Sequence, residues 1–251
     1  TGQLISPSSI KQDPERVHNA NESLGLGNLA ADVGALIALG CDTIAIATPP
    51  ETHYDIARQA IQAGKDVFIE KPMTTDYELA KQLVTMAERK GVNLMVGHIY
   101  LHNGGIQAMP IPIGQAELYV QLLNEKGAPS DSTRDVIWAG LPHACSLALH
   151  FFPDEPQKVF IRKSQDRIRA ELTYWNGSVA YLDVGDNTGR KLRRVELDCG
   201  TSRYLFDVKD PDMCLLQSGV EEKPFGMAIG EPLMEECRAF LNYKGVDPMG
   251  P

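Results

Sequence analysis

Three short apolar runs in the first hundred residues constrain this chain more than any other feature. They are Asp42–Thr48, Asp66–Ile69 and Val92–Gly97, and two stretches of helical periodicity separate them. Glu51–Ala63 places Ile56, Ala60 and Ile61 on one face and stops at Gly64. Thr75–Lys90 opens on Thr75 with Glu78 three residues on, a capping-box pattern, and stops at Gly91. Strands buried on both faces read as continuous apolar runs, and strands alternating with helices of this length make βαβ units on a parallel sheet. Further upstream, Gln3–Ser6 reads as another strand. Asp13–Leu24 reads as a helix, with Asp13 as N-cap and Pro14 at its first position.

The pattern changes after about residue 110. Strand-like runs now follow one another at Ala116–Leu123, Val159–Arg162, Ile168–Trp175, Ser178–Val184, Leu192–Leu197 and Arg203–Asp207. Trp175-Asn176-Gly177-Ser178 is a hairpin turn between two alternating runs. Two helices, Pro142–Phe152 and Pro232–Tyr243, interrupt the series. The expected fold is therefore α/β in two domains. Residues 1–110 are expected to form a Rossmann-type parallel sheet domain from which the first βα unit is missing, and residues 111–251 an α+β domain with a largely antiparallel sheet.

Composition excludes several classes of function. A net charge of −9 without a basic block is a poor match for nucleic acid, because phosphate contacts need clustered Lys and Arg. The short basic stretch Arg190–Arg194 reads as a solvated strand edge. No apolar run approaches the roughly 20 residues that cross a bilayer, so no membrane partner is expected. The N-terminus lacks the phases of a signal peptide. Five widely spaced cysteines without a C-x-x-C pair read as reduced thiols of a cytoplasmic protein, and Cys145 as a small buried hydrophobe. The six histidines show no H-x-x-x-H spacing, so no metal site is expected.

Ligands of open α/β sheets bind outside the carboxyl ends of the strands. Two such ends carry unusual residues here, Ala47-Thr48-Pro49-Pro50-Glu51-Thr52-His53 and Glu70-Lys71-Pro72. A lysine directly after a buried strand, beside Glu70 and before Pro72, can be held rigidly and tuned for proton transfer. On spacing alone, a surface Lys–Glu pair with a helix-entry proline stands level with that reading.

The stretch from Cys41 to His98, with ATPPETH followed by AGKDVFIEKPMTTDYELAKQLVTMAERKGVNLMVGH, resembles the dinucleotide-binding half of the Gfo/Idh/MocA oxidoreductases. Asp13-Pro14-Glu15-Arg16, Leu141–Ser146, Glu231-Pro232-Leu233 and Cys237–Phe240 are similar to further segments of that family. The resemblance implies hydride exchange between a nicotinamide and a sugar-like or other small polar carbonyl or hydroxyl compound. It implies Lys71 and His143 as the catalytic pair, bordering one site. Thr48, Pro49, Pro50, His53, Glu70 and Lys71 would line the cofactor. Ser8, Ser9 and Lys11 stand where a ribose-binding acid would be expected, which favours NADP over NAD. His98, Tyr100 and His102 would contact substrate. A homo-oligomer, dimer or tetramer, is expected by analogy with the fold.

The chain also departs from the family's pattern. Gly25-Leu26-Gly27-Asn28-Leu29-Ala30 matches G-x-G-x-x-A, but a helix precedes it where the fingerprint needs a strand. Ala139 stands where many relatives carry an acid four residues before the second-domain histidine, and the nearest upstream acid is Asp135. These departures leave an alternative, a non-catalytic dinucleotide- or sugar-binding regulatory protein of the same fold.

Overall fold

A computed structural model describes residues 32–126, 134–207, 213–218, 221–227, 231–243 and 245–247. The expected strand Gln3–Ser6, the helix Asp13–Leu24 and the candidate residues Ser8, Ser9 and Lys11 lie outside the described residues. The chain divides into two compact units. One runs to Gly97 and takes in the residues from Ala239 onward, and the other is His98–Arg238. The division thus falls earlier than residue 110, and the end of the chain returns to the first unit.

The first unit is built on helix α1 (Val33–Ala38), strand β1 (Thr43–Ile46), helix α2 (Pro50–Gln62), strand β2 (Asp66–Glu70), helix α3 (Tyr77–Lys90) and strand β3 (Leu94–Gly97). All strand pairs are parallel, in the order β1-β2-β3-β12, where β12 is Val246–Asp247. Its core joins Ile44, Ile46, Val67, Ile69, Leu94 and Val96 of the strands to Ile56, Ala60, Ile61 and Leu83 of the helices. These are the apolar positions that the runs and the helical spacing single out.

The N-cap of α3 corrects one expectation. Asp76, not Thr75, caps it, its carboxylate accepting from the Leu79 N–H at 3.0 Å. A carboxylate is the stronger acceptor for N–H groups at a positive helix end, so the helix starts one position later than the capping-box reading. Gly91 ends it at φ 65°, as expected for a left-handed C-terminal position. A polar brace closes the sheet's far edge. Asp66 accepts from the Asn93 backbone at 2.8 Å and from its side chain at 2.7 Å, while Asn93 Oδ1 accepts from the Gly245 N–H at 2.6 Å.

The second unit begins with a 3-10 turn (Ile99–His102) and the short helix α4 (Gly104–Gln107). Strand β4 (Glu117–Leu123) and helix α5 (Arg134–Phe151) follow. Then come β5 (Lys158–Lys163), β6 (Arg167–Thr173), β7 (Val179–Gly185), β8 (Leu192–Asp198), β9 (Ser202–Asp207), β10 (Met213–Ser218) and β11 (Glu221–Met227). Helix α6 (Pro232–Asn242) comes last before β12. The eight strands form one sheet in the order β11-β10-β9-β8-β4-β7-β6-β5, antiparallel except for β4 with β7. The expected hairpin joins β6 to β7, with Gly177 at φ 82°.

Alternation decides the faces of this sheet. Leu118, Val120, Ala180, Leu182, Val195 and Leu197 are buried and pack with Ala144, Leu147, Ala148 and Phe151 of α5. The close approach of α5 to β7 needs a glycine, because a Cβ on Gly140 would overlap Val184 Cγ1.

Three sequence expectations change here. Helix α5 starts at Arg134, so Pro142 lies inside it and His143 does not stand in a first turn with N–H groups to offer. Burial of the Ala144–Phe151 face outweighs the local cost of an interior proline. The basic stretch Arg190–Arg194 is no edge, because β8 lies between β4 and β9. Strands β10 and β11 are additional to the runs read from sequence.

Asn93→Ala should lower the unfolding free energy by about 1–3 kcal/mol, the cost of leaving buried polar partners unpaired. Urea unfolding at constant m checks this; an unchanged midpoint would show that the brace contributes nothing.

Candidate active site

The parallel strands of the first unit end together, and their terminal residues form its polar rim. Thr48, Pro50, Glu70 and Lys71 are half-buried there, and Pro49 is exposed. His53 links two of these ends. It is 1% exposed on the first turns of α2, and its Nε2 lies 2.7 Å from the Thr48 carbonyl and its Nδ1 2.8 Å from the Pro72 carbonyl. The ring therefore ties the loop after β1 to the loop after β2, and both its nitrogens are engaged within the protein. His53 thus holds the two strand-end segments to each other. Thr52 Oγ1 donates to the Pro49 carbonyl at 2.8 Å, so the 2.6 Å contact between Thr48 Oγ1 and Thr52 Oγ1 has Thr48 as donor.

Lys71 follows β2 directly, and the Lys71–Pro72 peptide is cis. Burial pulls its amine below the usual lysine range, and the neighbouring Glu70 carboxylate opposes part of that shift. A lysine displaced in this direction exists more often as the neutral amine, which can accept a proton. Beside Thr48, a groove of about 310 Å³ is lined by Asp32, Glu51 and Asp55, an acidic wall that repels phosphate. The half-exposed strand ends fit the ribose and nicotinamide parts of a dinucleotide better than that groove fits its pyrophosphate. No group of three or more His, Cys, Asp or Glu that could hold a metal occurs among the described residues.

In the second unit, His143 lies on α5 at the edge of a cavity of about 270 Å³. Tyr100 lines the same cavity, its ring edge-on to His143 with centroids 5.1 Å apart and planes at 66°. Burial pushes the Tyr100 hydroxyl up, while the hydrogen-bonded Arg193 guanidinium draws it down. His98 and His102 are buried instead, and neither lines this cavity. Burial holds His102 below the usual histidine range, against the pull of Glu235. The structure thus brings Tyr100 and His143 together and leaves His98 and His102 in the packing.

Three further residues of this cavity escape the sequence reading: Asn124, Asp186 and Arg193. An acid is present in the cavity, but it comes from the end of β7 and not from the helix upstream of His143. Ala139 lies on the same lining. Cys145 is pushed up to about 11 by burial, which suits a packed thiol and not a nucleophile.

The parallel unit with polar strand ends is followed in sequence by a mixed sheet backed by one long helix, an α/β architecture in two units. The family model of the oxidoreductase family with an NAD-binding Rossmann fold matches residues 8–98. Over that stretch the chain is similar to the Gfo/Idh/MocA oxidoreductases. A UDP-N-acetylglucosamine 3-dehydrogenase of Acidithiobacillus ferrooxidans is 32% identical over 174 residues, 66% of this chain and 55% of that protein. A myo-inositol dehydrogenase of Streptomyces leeuwenhoekii is 32% identical over 88 residues, 35% of this chain and 27% of that protein. The chain therefore spans about half or less of these curated relatives. A solved structure of the Acidithiobacillus ferrooxidans UDP-N-acetylglucosamine 3-dehydrogenase superposes with a TM-score of 0.82 at 27% identity, covering 92% of this chain and 78% of that one. A 3-ketoreductase of Actinomadura kijaniata, solved with TDP-benzene and NADP, shares the fold at a TM-score of 0.74 and 18% identity, covering 90% and 76%.

His53→Ala should reduce stability by about 1–3 kcal/mol, because the carbonyl that accepts from the ring loses its partner and the buried ring leaves a gap. A thermal melt checks this. An unchanged midpoint would remove the ring's role as a tie between the two strand ends.

Proposed function

We propose that this chain is the working part of an NAD(P)-dependent oxidoreductase that acts on a hydroxyl or carbonyl group of a sugar-like substrate. The observation that carries the reading is the half-buried Lys71 at the end of β2, with its amine drawn toward neutrality by burial. The match of residues 8–98 to an NAD-binding Rossmann family supports it. So does the similarity to a UDP-N-acetylglucosamine 3-dehydrogenase, which suggests a nucleotide-linked or free pyranose as substrate. The nicotinamide would accept or supply hydride at its C4 position.

The residues' own tasks follow from their chemistry. In oxidation the neutral Lys71 Nζ takes the proton of the substrate hydroxyl, and in reduction the ammonium returns it to the carbonyl oxygen. Glu70 beside it keeps the ammonium form accessible, so the amine can work in both directions. Thr48, Pro49, Pro50 and Glu70 would hold the dinucleotide, with Ser8, Ser9 and Lys11 as proposed ribose and phosphate contacts. Tyr100 and His143 are the proposed substrate-facing groups of the second unit. His98 and His102, once expected at the substrate, have structural positions in this proposal. A homo-oligomer belongs to the same reading, and light scattering measures it.

Lys71→Ala should cut kcat/KM about 100-fold or more, the usual scale for losing a general acid–base group, with an unchanged melting temperature. The assay follows reduction of NAD+ and NADP+ with UDP-N-acetylglucosamine and myo-inositol as probe substrates. Equal rates for the variant and the parent chain would end the assignment.

The pH dependence has a definite sign. Because burial lowers the Lys71 pKa, the neutral base appears at lower pH than for a solvated lysine. Oxidation should therefore accelerate as pH rises, along a limb below the ordinary lysine range, and Lys71→Ala should abolish that limb. A profile that stays flat until the ordinary lysine range would exclude Lys71 as the base.

A further inference from the structure

The cavity beside His143 contains a chain of hydrogen bonds that the proposed chemistry does not yet use. Asn124, at the end of β4, donates from Nδ2 to Asp186 Oδ1 at 2.5 Å, and its Oδ1 accepts from Arg193 Nη2. Arg193 Nη1 donates to the carbonyls of Leu123 at 2.6 Å and Leu192 at 2.9 Å. A guanidinium has five N–H donors in a rigid planar fork and no acceptor. With both its terminal nitrogens bonded to fixed acceptors, this one cannot swing. Asn124 stands between the positive and the negative group, spending its amide oxygen on one and its amide nitrogen on the other.

Arg193 lines this cavity together with Tyr100, and its guanidinium acts on the Tyr100 hydroxyl. Because the guanidinium can only donate, the phenol oxygen is the acceptor in a hydrogen bond between them, and the phenol's own proton is left to donate elsewhere. Tyr100 lines the cavity with His143, and so do Asp186 and Arg193; these four are the titratable groups named on its lining. Ala139 contributes only a methyl group to the same wall.

We propose that Arg193 is a positioning residue for Tyr100 in this cavity. Anchored on Leu123, Leu192 and Asn124, it fixes the Tyr100 hydroxyl as a hydrogen-bond donor beside His143, and Tyr100 gives that bond to the reacting oxygen of the substrate. The nature of that oxygen rests on the oxidoreductase reading, whereas the anchoring of Tyr100 does not. Asp186, held by Asn124, balances the guanidinium without pairing with it directly, so the arginine stays available to tyrosine.

The test uses the whole chain with Cζ-labelled tyrosine, whose NMR position reports the hydrogen bonding of the phenol, at neutral pH. Tyr100→Phe identifies the signal. Arg193→Met should shift the Tyr100 signal while leaving the other tyrosines in place, and Arg193→Lys should shift it less. An unmoved Tyr100 signal in a folded Arg193 variant overturns the proposal. If Arg193→Met does not fold, Arg193→Lys and Asn124→Ala decide the same question.

Kinetics with UDP-N-acetylglucosamine and NAD+ or NADP+ supply the second arm. Tyr100→Phe should lower kcat/KM about tenfold or more, and Arg193→Met should add nothing in the Tyr100→Phe background. Multiplying losses, the signature of a merely structural arginine, overturn the proposal. A parent chain that turns over neither this probe nor myo-inositol would sink the oxidoreductase reading, while the NMR arm still decides whether Arg193 positions Tyr100.

Discussion

A parallel strand that ends inside a protein leaves a backbone carbonyl pointing past the ladder, and buried carbonyls without partners are costly. In the first unit one imidazole ring stands against two such carbonyls. The His53 ring lies between the carbonyls of Thr48 and Pro72, one after each of two neighbouring strands. The two loops therefore keep a fixed separation, and Lys71, adjacent to Pro72, inherits a fixed backbone. A lysine on a long flexible stem becomes a usable acid–base group only when its base is held and its environment partly dry. The His53 tie provides the first condition and the packing around β2 the second.

The second unit reaches a similar end by other means. A single long helix packs on β4, β6 and β7 of the eight-stranded sheet, and the strands there supply residues at their ends. Asn124, Asp186 and Arg193 follow β4, follow β7 and lie within β8, respectively, and these strands are neighbours in space. Their side chains make one connected network because the sheet's register places the three ends side by side. Relative to a surface of mobile lysines and carboxylates, such a network costs little entropy to maintain, since each member is held by a strand.

Much of the first unit is legible in the chain itself. Its strands are continuous apolar runs, its helices have one apolar face, and glycines close them. Lys71 is legible too, because the feature that marks it, a charged pair between an apolar strand and a proline, is local. The misreadings have physical causes of their own. Pro142 looks like a helix start, yet the apolar face from Ala144 to Phe151 is buried well enough to carry the proline in mid-helix. The Arg190–Arg194 stretch looks like a solvated edge, because charge usually marks one; here it supplies an interior strand whose Arg193 is spoken for by backbone carbonyls. Strands β10 and β11 mix charge and proline, so their pairing shows only in the sheet.

The sequence by itself determines the parallel sheet, the helices that back it, the family that residues 8–98 resemble and the identity of Lys71 as the residue to watch. These depend on periodicity and on short motifs, which are properties of neighbouring residues. Only the tertiary structure decides that His53 ties two loops, that His98 and His102 are buried, and that Tyr100 shares a cavity with His143 and Arg193. Those assignments depend on which strand ends lie side by side. Asn124 and Arg193 are far apart in the chain, and only the antiparallel pairing of β4 with β8 brings their hydrogen-bonding groups within reach.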